Sequence, residues 1–164
     1  MTNSPESGQR SEAFLRQRRF GRECAVQFLY QVDQRGDWEL AETDVGAFWR
    51  RVEEQEDAPF GNDLHRARKF AEKLVRLYRE NAVGIDRELA DCARNWTLER
   101  MASIDRNLLR MAATEIRFLD NIPPADTINE ALEIAKRYGD KESVSFINGI
   151  LDRLARKDDG PESE

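Results

Sequence analysis

Apolar residues return every three or four positions along nearly the whole chain, and no segment alternates in the two-residue rhythm of a half-buried strand. The spacing predicts an all-α protein of about seven helices joined by short connections. The first helix runs from Ser11 to about Gln34. Phe14, Gly21, Ala25, Phe28 and Val32 share one stripe of it, and Gly36 marks its stop. A second follows Asp44 as N-cap through "VGAFWRRVEEQE", and the Pro- and Gly-containing "DAPFGND" is a loop. A third, from Asp63 to Asn81, turns Phe70, Leu74, Leu77 and Tyr78 inward, and Gly84 ends the turn before the shorter "IDRELADCARN".

Thr97 and Ser103 are cap residues for the next two helices, the first only a turn or two long. "IDRNLLRMAATEIRFLD" is apolar around more than half its circumference, which places it centrally. Glu115 falls inside that apolar arc, and a carboxylate there needs donors; we read it as structural. "NIPPAD" breaks the chain, and "TINE" has the Thr-x-x-Glu spacing of a capping box. The helix that follows buries Ile128, Ala131, Leu132, Ala135 and Tyr138. Gly139 then stops it, and Asp140 caps the last helix, whose stripe is Val144, Ile147, Leu151 and Leu154. This pattern predicts one domain over residues 11–156 between polar tails, 1–10 and 157–164, with too little apolar content to fold.

Composition narrows the function. The 164 residues carry 26 basic and 32 acidic side chains, a net charge of -6. That excludes coating nucleic acid by bulk charge but leaves room for a local basic site. His65 is the only histidine, so a hydrolase triad would have to use it and a zinc site has too few ligands. No phosphate loop, GxGxxG or HExxH occurs. We therefore assign no catalytic residue, no metal and no cofactor. Cys24 and Cys92 stand alone, no apolar run reaches membrane-spanning length, and "MTNSPESGQRSEAF" lacks an apolar signal region. The expectation is a cytoplasmic protein that meets no membrane.

Two features carry chemistry. "RQRRFGR" places Arg16, Arg18, Arg19 and Arg22 on the first helix with no acid among them. The guanidinium fork suits phosphate oxygens and its plane stacks on bases; a solvated cationic face balanced by acidic neighbours explains the same residues. On the last helix, Phe146 lies roughly 100° from the centre of the apolar stripe, on the side of Glu142 and Gly149. An unburied ring beside a small residue is a stacking platform for a base, with Gly149 admitting close approach. The alternative is that Phe146 packs on another helix and Gly149 permits that contact. Glu99 and Asp105 flank a helix start, where carboxylates favour the dipole; they also suit a basic protein partner.

"RECAVQFLYQ" after an arginine-rich start, "IDRNLLRMAATEI", "TINEALEIAKRYG" and "SFINGILDRLA" resemble, in order and spacing, the NusB family of bacterial transcription antitermination factors. The resemblance implies a fold of two packed helical subdomains and no catalysis. It implies binding to boxA, a short single-stranded RNA element of nascent ribosomal transcripts, together with NusE, a small-subunit ribosomal protein. It further implies loading onto RNA polymerase complexes with other Nus factors, and relatives that occur as monomers or homodimers. Position by position, Arg16, Arg18, Arg19 and Arg22 match the family's basic run, Phe146 its RNA-facing aromatic and Glu142 a nearby modulating position. Tyr30, Glu99 and Asp105 match the NusE-facing side. Ser145 stands where many relatives carry lysine, as does Ala125, which Asp126 follows, so two phosphate contacts are missing or moved. The alternative function is a helical protein–protein adaptor with little RNA affinity. The RNA reading requires the arginines and Phe146 to serve one RNA patch.

Overall fold

The structure, a computed structural model, describes residues 5–159, with side chains over 12–157. The order is α1 (Pro5–Arg35), α2 (Trp38–Thr43), α3 (Val45–Glu53), α4 (Gly61–Glu80), α5 (Ala82–Ala93), a single 3₁₀ turn (Leu98–Arg100), α6 (Ser103–Phe118), α7 (Pro124–Tyr138) and α8 (Lys141–Asp159). Among the described residues all regular structure is helical. The chain divides into two compact units, Met1–Lys73 and Leu74–Glu164. Of the two tails expected to lack structure, 1–4 and 160–164 lie outside the described residues. α1 opens at Pro5 rather than Ser11, as proline suits a first turn where its missing N–H is not needed.

In the first unit, Gly36 at φ 70° stops α1, with its N–H on the Val32 carbonyl at 2.7 Å. α2 is an element that periodicity missed, because six residues are too few to show a repeat. Asp37 caps it, accepting from the N–H groups of Glu39 and Leu40 at 2.9 and 3.2 Å. Asp44 precedes α3 as expected, but its carboxylate takes Arg35 at 2.6 Å instead of capping. α1 buries Phe20, Ala25, Phe28 and Val32, and Phe28 and Trp49 both meet Phe48 edge-on at 5.2 Å.

Cys24 lies in this core at 1% exposure. Burial pushes its thiol up from 9.0 to about 12, with the carboxylates of Glu23 and Asp57 adding to the shift. Above pH 9 the unfolded chain therefore binds fewer protons than the folded one, so stability falls as pH rises. Full stability holds below the unfolded thiol's value, and the loss runs at roughly 1.4 kcal/mol per pH unit until the folded thiol titrates. Accordingly, the stability advantage of the protein over Cys24→Ala should shrink by about 1 kcal/mol between pH 8.5 and 10 in urea unfolding. A constant advantage would show that the thiol titrates alike in both states.

The second unit is built around α6, which packs against α5, α7 and α8 and buries nearly every residue from Asn107 to Ile116. This matches the centrality its apolar circumference predicts. Glu115 is fully buried and accepts a hydrogen bond from the Thr127 hydroxyl at 2.9 Å. The structure thus gives Thr127 a different job from the N-cap expected of it. Pro124 already opens α7 with Pro123 as cap residue, leaving Thr127 one turn inside the helix and facing the core. That anchoring turns α7 so that Ile134 is buried with Ala131 and Ala135, while Tyr138 is 47% exposed. Gly84, expected at the end of the turn before α5, lies within the first turn of that helix, and Ser103 opens α6 without capping it. Asp140 does cap α8, accepting from the Ser143 N–H at 2.9 Å. Along α8, Ile147, Ile150, Leu151 and Leu154 are fully buried.

Candidate nucleic-acid interface

The arginines of α1 divide by how far each side chain lies from the buried stripe. Arg16 and Arg19 are exposed. The Arg18 guanidinium lies 4.6 Å from the centroid of the Phe14 ring and 4.0 Å from that of Phe70 on α4, a cation stacked on two aromatic faces. Phe14, expected inside, is 48% exposed. Arg22 departs from its expected role. It is 3% exposed and 5.4 Å from the Phe70 ring, so its guanidinium is committed to the interior rather than offered to phosphate. Tyr30 is 40% exposed and borders a groove of about 430 Å³ with Gln27, Gln31 and Gln34.

Glu142, Phe146 and Gly149 follow one another at i, i+4, i+7 spacing on α8, on one side of the helix. Phe146 is half-buried. Its ring meets Trp96 edge-on at 5.8 Å, and Trp96 is itself 50% exposed. Sequence reasoning missed Trp96; a large aromatic in "RNWTL", on no apolar stripe, was the available signal. The turn that presents it follows α5, where Arg94 adopts φ 60°, a left-handed conformation uncommon outside glycine. The Arg153 Nε–H donates to the Cys92 carbonyl at 2.8 Å, tying α8 to the end of α5. Burial raises the Cys92 thiol there, opposed by Lys157 and Arg153.

Gly149 does not mark a helix–helix contact. A Cβ placed there meets only the Arg153 guanidinium, at 3.5 Å and beyond, an ordinary van der Waals separation. Gly149→Ala should therefore raise stability by about 0.5–1 kcal/mol, through helix propensity alone. A loss in urea unfolding would mean that the glycine accommodates a neighbour after all.

Asp105 accepts from the Ser143 hydroxyl at 2.7 Å, joining the first turn of α6 to that of α8 beside the exposed Glu142. Glu99 stands exposed on the 3₁₀ turn. Among the described residues no three of His, Cys, Asp and Glu are placed to hold a metal ion, and no helix is long and apolar enough to cross a membrane.

Residues 20–156 match the model of the NusB family. The chain belongs to the NusB family. The transcription antitermination protein NusB of Syntrophotalea carbinolica is 42% identical over 147 residues, covering 85% of this chain and 92% of that protein. That of Pelotomaculum thermopropionicum is 43% identical over 137 residues, covering 84% and 88%. The NusB structure from T. maritima superposes with a TM-score of 0.69 at 34% identity, over 85% of this chain and 91% of its own. A crystal structure of antitermination factors NusB and NusE in complex with dsRNA shares the fold, with a TM-score of 0.68 at 24% identity, over 87% and 98%. NusB relatives are thus named for transcription antitermination and not for a reaction, and the expected all-helical NusB fold is the one observed.

Proposed function

We propose that this protein is a transcription antitermination factor that binds boxA-type single-stranded RNA of nascent ribosomal transcripts together with NusE. The observation that carries this reading is the match to curated antitermination proteins over more than four-fifths of the chain. The fold is also one on which NusB and NusE meet dsRNA in a solved complex. Arg16, Arg18 and Arg19 supply cations for the RNA phosphates, and Phe146, now with Trp96 beside it, supplies a ring for a base. Glu142 and Gly149 border that ring. Tyr30, Glu99 and Asp105 face NusE. The heterodimer then joins RNA polymerase with other Nus factors, and a homodimer covers the basic face until NusE or RNA displaces it. Its place of action is the cytoplasm.

A second reading, an adaptor of the transcription or ribosome-assembly machinery with little RNA affinity of its own, is favoured by the exposed Ser145, Ala125 and Asp126. Ser145 and Ala125 stand where the family resemblance leads one to expect lysines, and Asp126 adds a negative charge beside the second. One titration separates the two. Labelled boxA RNA and a scrambled sequence are added to the protein, with and without NusE, across a salt series. We expect preference for boxA, strengthened by NusE. Equal affinity for both RNAs even with NusE present would leave the adaptor reading standing alone. Sedimentation mass with and without NusE tests the homodimer.

A further inference from the structure

A groove of about 570 Å³ opens in the first unit between α1 and the start of α4. Its floor is the buried Phe70 ring, and Arg18 lies against that ring with the half-exposed Phe14 on its other side. The α4 wall carries His65, Arg66, Lys69 and Lys73, all exposed. Among the described residues no carboxylate lines the groove, although acids outnumber bases in the chain by 32 to 26. Of the nearby acids of α4, Asp63 accepts at 2.7 Å from the amide of Gln17, which itself lines the groove, and Glu72 takes Arg68 at 2.9 Å.

Arg66, Lys69 and Lys73 are spaced i, i+3, i+7 and so form one row along α4, spanning about 10 Å of helix axis. Like charges lined up this way repel one another, and a polyanion along the row relieves that repulsion. The aromatic component decides which polyanion. An acidic peptide needs only the charge. A single strand of nucleic acid uses the cations for its phosphates and an exposed ring, here Phe14, for its bases.

We propose that this α1–α4 groove holds the sugar–phosphate backbone of single-stranded RNA, with Arg66, Lys69 and Lys73 on phosphates and Phe14 stacked on a base. The proposal rests on the RNA-binding reading above and extends the RNA contact from α1 to α4. The row is carried by "HRARKFAEK", the segment that also buries Ala67 and Phe70.

The test compares the full-length protein with Arg66→Ala/Lys69→Ala/Lys73→Ala and with Phe14→Ala, by fluorescence anisotropy against boxA RNA and scrambled RNA, with NusE, over a salt series. Each single-strand phosphate contact contributes about 0.7 to the slope of log K against log salt. The triple variant should therefore lose about 2 from that slope and bind on the order of a hundredfold more weakly at 0.1 M salt. Both RNAs should suffer alike, since phosphate contacts carry no sequence information. Phe14→Ala should weaken binding roughly tenfold with the slope unchanged. Unchanged affinity and slope in the triple variant, with the parent protein binding boxA RNA normally, overturns the groove and spares the RNA-binding reading. Failure of the parent protein to bind RNA at all overturns both. Displacement of RNA by oligoglutamate at matched charge would make the groove a dock for an acidic protein and also overturns the proposal.

Discussion

Gly21→Ala is expected to destabilise the protein by roughly 1 kcal/mol, although it replaces a mid-helix glycine with the best helix former. Propensity alone predicts a gain of about 1 kcal/mol. The packing decides otherwise. A Cβ at Gly21 would sit 2.8 Å from the Ala67 carbonyl oxygen and 3.1 Å from the Phe70 ring. The first of these is backbone, so α1 and α4 must part to admit a methyl group. Overpacking of this kind typically costs about 1–3 kcal/mol. The same substitution at Gly149 is expected to stabilise, because only the end of a flexible arginine is near. The pair of variants, measured by urea unfolding, separates propensity from packing in one protein. If Gly21→Ala proves as stable as the parent, the α1–α4 approach is looser than described. The change also has a functional side. Arg18 and Arg22 both lie over Phe70, so widening the α1–α4 gap displaces the aromatic floor of the basic groove, and RNA affinity should fall with stability.

The contrast between the two glycines shows what the sequence made legible. Helix number and position follow from apolar spacing, since burial on one face imposes its period on the residues. The centrality of α6 and the cap at Asp140 were readable for the same reason: each is a local matter of which faces are apolar and which side chain reaches the next N–H. Long-range partners were not readable. Thr127 has the spacing of a cap, but a buried carboxylate twelve residues earlier claims its hydroxyl. Asp44 has the right position for a cap, but Arg35 claims its carboxylate. Arg22 belongs by sequence to a run of surface arginines, yet the approach of α4 encloses it. Of the residues proposed to meet RNA, Arg16 and Arg19 in the first unit and Phe146 in the second follow from residue type and helical angle. Trp96 beside Phe146, and the α4 row beside α1, do not, because within each unit they are associated by tertiary packing and not by spacing along one helix.

Phe146→Ala is expected to weaken binding of boxA RNA by about 1–3 kcal/mol, the range for loss of one base–aromatic stack. The structure changes what else this variant should do. Were the ring fully solvated, stability would be untouched. Its edge contact with Trp96 means that removal also forfeits an aromatic pair, which contributes about 0.5–1.5 kcal/mol, and partly uncovers the half-exposed indole. A stability loss near 1 kcal/mol is therefore expected alongside the affinity loss. The two effects separate when Trp96→Ala is measured beside it. Trp96→Ala removes the same pair and so should lose similar stability, but it leaves the phenylalanine ring available to a base. If Phe146 stacks on RNA, Phe146→Ala must lose more affinity than Trp96→Ala at equal loss of stability, and Phe146→Trp should restore it. Equal affinity losses in the two alanine variants would mean that the ring pair acts as a structural brace between α8 and the end of α5, and that the base lies elsewhere. A Phe146→Ala variant with the parent's RNA affinity and a stability loss well above 3 kcal/mol would place the ring in the core, and the stacking role would pass from α8 to the Phe14 surface of the first unit.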